Sequence, residues 1–182
     1  MAASQQTNHP LTARSNNQLH MKKHSFAPVA NAQTRLLVLG SLPGDASLAQ
    51  NQYYGHPQNQ FWRLMSAVIG ADLRAVNYDS RLQLLLDHGV GLWDVIANAD
   101  REGSLDSRIK KETHNDLASL LSTLPILSAI AFNGATAARH GQRSLSGWRG
   151  RASLILLPSS SPAYTRSFDE KLAAWLALKE FL

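Results

Sequence analysis

The chain of 182 residues contains no cysteine. That absence excludes disulfides, thiolate zinc sites, iron–sulfur clusters and a cysteine nucleophile. No apolar run approaches the roughly 20 residues of a membrane-spanning helix. A soluble, cytoplasmic protein with no membrane partner is therefore expected. Residues 1–34 lack any acid and carry Arg14, Lys22 and Lys23, a charge of +3. That leaves 15 of the 18 Lys and Arg, against all 13 Asp and Glu, for residues 35–182, a balance of only +2. A basic total is weak evidence for a nucleic-acid partner when the charge collects at one end. Also missing are the Gly and Lys spacings of phosphate-cradling and dinucleotide loops, and the Gly-x-Ser-x-Gly elbow of hydrolases. The seven histidines lack metal-ligand spacing, so no metal and no cofactor is expected.

What is present is the composition of a globular chain, 44% apolar and 17% charged. Residues 1–34 are rich in Asn, Gln, Ser, Thr, Ala and His without an apolar period. They are read as a flexible basic arm, with no apolar segment of a secretory signal, ahead of one domain over 35–182. Four short apolar runs follow, at 36–39, 89–96, 126–132 and 154–157, each read as a buried strand. Helical periods fall between and after them, at 60–69, 79–87, 115–124, 135–140 and 169–182. Buried strands alternating with helices predict an α/β fold. The expected form is a three-layer sandwich with a central four-stranded parallel sheet flanked by helices.

In such a sheet ligands bind outside the carboxyl ends of the strands, and here all four end-loops are polar or rich in Gly and Pro. The first is Gly40-Ser41-Leu42-Pro43-Gly44, a tight turn whose N–H groups could face a phosphate. Beyond it lies Tyr53-Tyr54-Gly55-His56-Pro57-Gln58-Asn59-Gln60-Phe61-Trp62. Phe61 and Trp62 read as core anchors of the next helix. Tyr54 and Asn59 pair an aromatic face with a directed amide, which suits a flat heterocycle. His56 either orients Asn59 or fills the turn. The second strand ends at Asp94, with Arg101, Ser104 and Asp106 further on; the third ends at Asn133-Gly134 and the fourth at Ser159 to Arg166. Asp94 can accept from a ring N–H, with helix capping or an ion pair as an equal rival. For the serines, an ordinary turn rivals phosphate binding.

Three of these loops together resemble the uracil-DNA glycosylase superfamily: Gly40-Ser-Leu-Pro-Gly44, Tyr54-Gly-His-Pro-Gln-Asn-Gln-Phe-Trp62 and Leu157-Pro-Ser-Ser-Ser-Pro-Ala163. The resemblance covers roughly residues 35–182. The spacing of the first two is similar to that of the mismatch-specific uracil glycosylases. Leu42, however, stands where several branches place a water-activating Asp or Asn. The pattern with an apolar residue there resembles the hypoxanthine-DNA glycosylase branch, in which the Asn of His-Pro-x-Asn takes over that role. The resemblance then implies a DNA repair glycosylase acting on flipped-out deaminated bases: hypoxanthine first, with uracil or xanthine after it. Asn59 would hold the water, Ser41, Leu42, Tyr54, Asp94 and Asn133 the base, and Ser159, Ser160, Ser161, Tyr164 and Arg166 the DNA. Tyr54 would stack on the base, and Tyr164 lies where the superfamily inserts a wedge.

The implied enzyme is monofunctional, since no Lys lies in these motifs to form a Schiff base. A monomer is expected. The alternatives are a uracil-selective mismatch glycosylase, a noncatalytic damaged-DNA-binding domain of the same fold and, more remotely, an esterase using Ser41.

Overall fold

The computed structural model describes residues 22–182. What was expected of residues 1–21 lies outside the described residues. In chain order the strands are β1 (Lys22–His24), β2 (Leu36–Gly40), β3 (Val90–Asp94), β4 (Ile96–Asp100), β5 (Lys110–His114), β6 (Ala129–Asn133) and β7 (Ser153–Leu157). The α-helices are α1 (Asp45–Gln50), α2 (Phe61–Ile69), α3 (Tyr78–Asp87), α4 (Leu117–Ser122), α5 (Ala135–Ser144) and α6 (Phe168–Trp175).

Strands β3, β2, β6 and β7 form a four-stranded sheet in that order, every pair parallel. Its centre explains its sequence. Leu36, Leu37, Val38 and Leu39 are all fully buried because helices cover both faces. Alternation then divides the core in two. Leu36 and Val38 pack with Phe61, Leu64, Met65, Leu85 and Trp175 of α2, α3 and α6. Leu37 and Leu39 pack with Leu117, Leu121, Ala137 and Ala138 of α4 and α5. This is the expected three-layer sandwich.

Three differences from expectation reshape the fold. The run at 89–96 is two strands: β3 ends at Asp94, and Ile96 begins β4 in a second, antiparallel sheet ordered β1-β4-β5. The chain changes sheets at Val95, whose N–H donates to Gly40 O (2.9 Å). The third run starts later, at Ala129, because Ile126 lies in an exposed turn after Pro125. The largest change concerns the arm. Residues 22–34, expected to be flexible, belong to the fold. β1 pairs with β4, Val29 bridges Leu92, and Ala27 and Phe26 carbonyls accept from Tyr53 Oη (2.9 Å) and Trp93 Nε1 (3.0 Å). Lys23 is buried and bonds Asp45 and the Gly103 carbonyl. The domain boundary at 34 is thus wrong: backbone pairing and two aromatic donors order a segment that has no apolar period of its own.

Candidate active site

The carboxyl ends of β2, β3, β6 and β7 open onto a cavity of about 480 Å³. Its floor is set by Gly40, paired in register with Asp94 on the neighbouring strand. A Cβ on residue 40 would stand 2.5 Å from Asp94 Oδ1 and 3.3 Å from Tyr54 Oη. Only glycine leaves room for both groups to converge there. Tyr54 Oη and Asp94 Oδ2 are buried without a hydrogen-bond partner. Unpaired buried polar atoms are costly in a core and are expected where a ligand supplies the missing partner.

Electrostatics follow from that burial. Loss of solvent pushes the Asp94 carboxyl up to about 7; nearby Asp106 adds to this and Arg101 opposes it. The Tyr54 hydroxyl is pushed up by burial first and by Asp94 second, with the nearby Asn133 side chain opposing, so it stays a neutral donor. Tyr54 has a φ of +54°, a left-handed conformation that costs a non-glycine residue on the order of 1–2 kcal/mol. The strain is offset by a stack on Phe61, with ring centroids 3.7 Å apart and planes 14° off parallel. Phe61 thus acts as the expected core anchor, and it backs the tyrosine.

Asn59 lines the cavity at the start of α2. Its Oδ1 accepts from Phe61 N–H (3.0 Å), which fixes the amide and leaves the second lone pair of that oxygen free. His56 does not hold the Asn59 side chain. It ties the turn, its Nδ1 accepting from Gln58 N–H (3.1 Å) and its carbonyl from Asn59 N–H (2.9 Å).

The remaining expected residues divide. Ser41, Leu42, Asn133, Ser159, Ser160, Ser161 and Tyr164 all line the cavity, whereas Arg166 is exposed beyond it, its guanidinium 5.9 Å from the Tyr164 ring centre. Leu42 also packs on Ile96 and Ala99 beneath the small sheet. The Asn133 amide is engaged at both ends: Nδ2 donates to Ser160 Oγ and Oδ1 accepts from Ser160 N–H, each at 2.8 Å. Ser160 is 1% exposed, so the expectation that it reaches a phosphate is corrected: it is an internal clamp holding the last loop to β6. Its carbonyl accepts from Gln60 N–H (3.0 Å), joining that loop to the Asn59 turn. Ser159 and Ser161 accept from N–H groups two residues on (3.2 Å each), as serines in turns do. Tyr164 is 39% exposed at the rim.

The second sheet supplies residues outside the expected set. Ser41 Oγ donates to both carboxylate oxygens of Asp106 (2.8 Å each). The Arg101 side chain is fully buried; it bonds the Leu42 carbonyl (3.3 Å), the Pro43 carbonyl and Asp106 (3.4 Å). Ser104 Oγ accepts from Asp45 N–H (2.9 Å). The first loop is therefore shaped from outside by the segment between β4 and β5. Sequence order places these residues in a polar stretch after Asp94, but nothing in their spacing ties them to Ser41. Behind the last loop, buried Lys171 donates to Ser161 O (3.2 Å).

Residues 27–179 match the family model described as the uracil DNA glycosylase superfamily. The chain belongs to the uracil DNA glycosylase superfamily. Its class of activity is accordingly that of a DNA N-glycosylase, a hydrolase. The chain is 43% identical over 155 residues to a hypoxanthine DNA glycosylase of Methanosarcina barkeri, covering 85% of this chain and 96% of that protein. It is 40% identical over 158 residues to another of that name from Methanosarcina acetivorans, covering 87% and 98%. The fold matches a solution NMR structure of a Methanosarcina acetivorans protein described as a candidate uracil DNA glycosylase. That match has a TM-score of 0.78 at 40% identity and covers 87% of this chain and 97% of that one. In this glycosylase no described helix is long and apolar enough to cross a membrane.

Proposed function

We propose that this glycosylase releases deaminated bases from DNA, hypoxanthine foremost, by reading the lactam edge that deamination creates. The observation that carries the proposal is the pair of buried, unpartnered polar atoms on two residues of the cavity lining, Asp94 Oδ2 and Tyr54 Oη. Deamination turns an amino-bearing edge into a ring N–H beside a carbonyl. An ionised Asp94 accepts from that N–H, and the Tyr54 hydroxyl donates to the carbonyl. Adenine and cytosine present the reverse pattern, a ring acceptor beside an amino donor. They would leave both buried groups unpaired, the kind of mismatch that discriminates most strongly. The names of the two relatives favour hypoxanthine among the lactam bases.

The chemistry proceeds at the anomeric carbon through an oxocarbenium-like state. Asn59 is no base at neutral pH. The free lone pair of its oxygen orients a water against that carbon, and the Phe61 N–H holds the amide still. Negative charge developing on the departing base is met by the Tyr54 hydroxyl. At the rim, Tyr164 fills the gap left by the extruded nucleotide, with Arg166 beside it against the DNA backbone. The esterase alternative loses support, because Ser41 Oγ donates to a carboxylate and no imidazole is among its partners in the described residues.

The test is one panel of duplex oligonucleotides carrying inosine, uracil, xanthosine or only ordinary bases. The expected outcome is release of hypoxanthine, slower release of uracil or xanthine, and intact adenine. Release of uracil alone would favour the uracil-selective reading. Binding to inosine DNA with no release of any base would establish the noncatalytic alternative.

A further inference from the structure

The fold brings together three metal-ligating groups that are far apart in sequence. Glu112 and His114 lie two residues apart on β5, and His140 lies on α5. Their donor atoms all fall within 4.8 Å of one another. His114 Nε2 and His140 Nδ1 are 2.9 Å apart, and Glu112 Oε1 is 3.9 Å from His140 Nδ1. Zinc bound tetrahedrally at about 2.0–2.1 Å needs donor atoms roughly 3.3 Å apart. Small side-chain rotations supply that spacing. Spacing along the sequence gives no sign of this grouping, which arises only when β5 and α5 pack together.

We propose that Glu112, His114 and His140 form a three-donor site for a divalent cation of the zinc class, distinct from the base cavity, that clips β5 to α5. His140 is 6% exposed, so one donor of the three is held inside the fold while His114 opens to solvent. Two nitrogen donors and one oxygen donor select zinc, nickel or copper over magnesium or calcium, which prefer all-oxygen shells. Arg139, with Nη2 3.4 Å from His140 Nε2, and Arg143 also face His140. Their charge opposes a dication, and Arg139, being exposed, can swing away. The clip acts on both walls of the site. α5 begins with the cavity-lining residues Ala135 and Thr136, and β5 continues the segment that carries Asp106. It would stiffen the pocket without entering the chemical step.

The experiment uses the full chain, freed of metal by chelator and dialysis, titrated with Zn²⁺ alone against a chromogenic competitor while thermal unfolding is followed. One equivalent is expected to bind, with Tm rising by roughly 5–10 °C at a hundredfold excess over Kd. Mg²⁺ should produce no such shift. Exposed His114→Asn should weaken uptake by at least the roughly tenfold that loss of even an outer-shell partner costs. Glu112→Gln provides a second variant should the first fold poorly. Absence of zinc uptake by the wild type overturns the proposal. So does uptake by both variants at wild-type affinity, which would trace binding to the five other histidines.

Discussion

At the scale of single residues, the account rests on side chains with two duties. In the proposal Asn59 orients water, and in the structure its Oδ1 also accepts from Phe61 N–H, the first residue of α2. Asn59→Ala should therefore cost about 1 kcal/mol of stability, readable as a fall in Tm of roughly 2–4 °C. Asn59→Asp keeps the bond to Phe61 and should unfold at the wild-type temperature. Asp94 gives a pH prediction whose sign is fixed. Its folded value, about 7, stands above the ordinary 3.8, so the fold holds its proton more tightly than the open chain. Its contribution to stability is complete below the ordinary value and is lost as pH rises through 7. In the proposal activity runs the other way, because the ionised carboxylate is the stronger acceptor for the base N–H. Release of hypoxanthine should climb through pH 7 and then level off, and Asp94→Asn should flatten that limb. An undiminished limb in the variant would remove Asp94 from base recognition. The identities of Asn59 and Asp94 were legible beforehand, and their surroundings were not. The sequence places Asp94 at a strand end, but burial and the missing partner are properties of the assembled sheet.

Among elements, the parallel strands and most helices were readable because they carry an apolar period or run, whereas α1, Asp-Ala-Ser-Leu-Ala-Gln, carries none. Leu36 to Leu39 is unmistakable, buried on both faces by helices that themselves display a stripe. The antiparallel sheet was invisible for the opposite reason. β1 buries only Lys23 of its three residues, and β5, Lys-Lys-Glu-Thr-His, is mostly exposed. Such strands are held by backbone pairing and edge position, which leave no hydrophobic alternation to read. Yet this sheet braces the first loop through Arg101. Arg101→Met should strip the Leu42 and Pro43 carbonyls and Asp106 of their donor and destabilise the protein by roughly 2–4 kcal/mol, measured by denaturant unfolding. Asn133→Ala, which orphans the buried Ser160 N–H, should cost about 1–3 kcal/mol by the same measurement. Ser159→Ala should stay close to wild type. Equal effects at positions 133 and 159 would contradict the clamp.

For the molecule as a whole, the charge arithmetic changes meaning. Two of the three basic residues assigned to a loose arm, Lys22 and Lys23, lie in β1, and Lys23 is buried on Asp45. Residues 1–21 then carry a single basic residue, Arg14. Removing residues 1–21 should change the slope of log K against log salt for DNA binding by no more than about 0.9. Removing residues 1–34 should instead lower Tm sharply, since it deletes β1 and the carbonyls that hold Tyr53 and Trp93. Residues 22–182 then hold 17 Lys and Arg against 13 Asp and Glu, so the folded body carries +4 of the net +5. In the proposal its loops around the cavity supply the DNA affinity. The positions of Asn59, Tyr54 and the serine loop along the chain were legible in three short motifs. Their convergence was not, because it depends on the strand order β3-β2-β6-β7.

The central claim is that Asn59 positions the water that cleaves the bond to a base held by Tyr54 and Asp94. Its most direct test is single-turnover release of hypoxanthine from an inosine duplex by the wild type and Asn59→Ala, with DNA binding measured in parallel. The account predicts near-equal binding and a rate lower by about 100-fold or more, the loss expected when a positioned reactant is released. A variant that binds and releases hypoxanthine at the wild-type rate would contradict it.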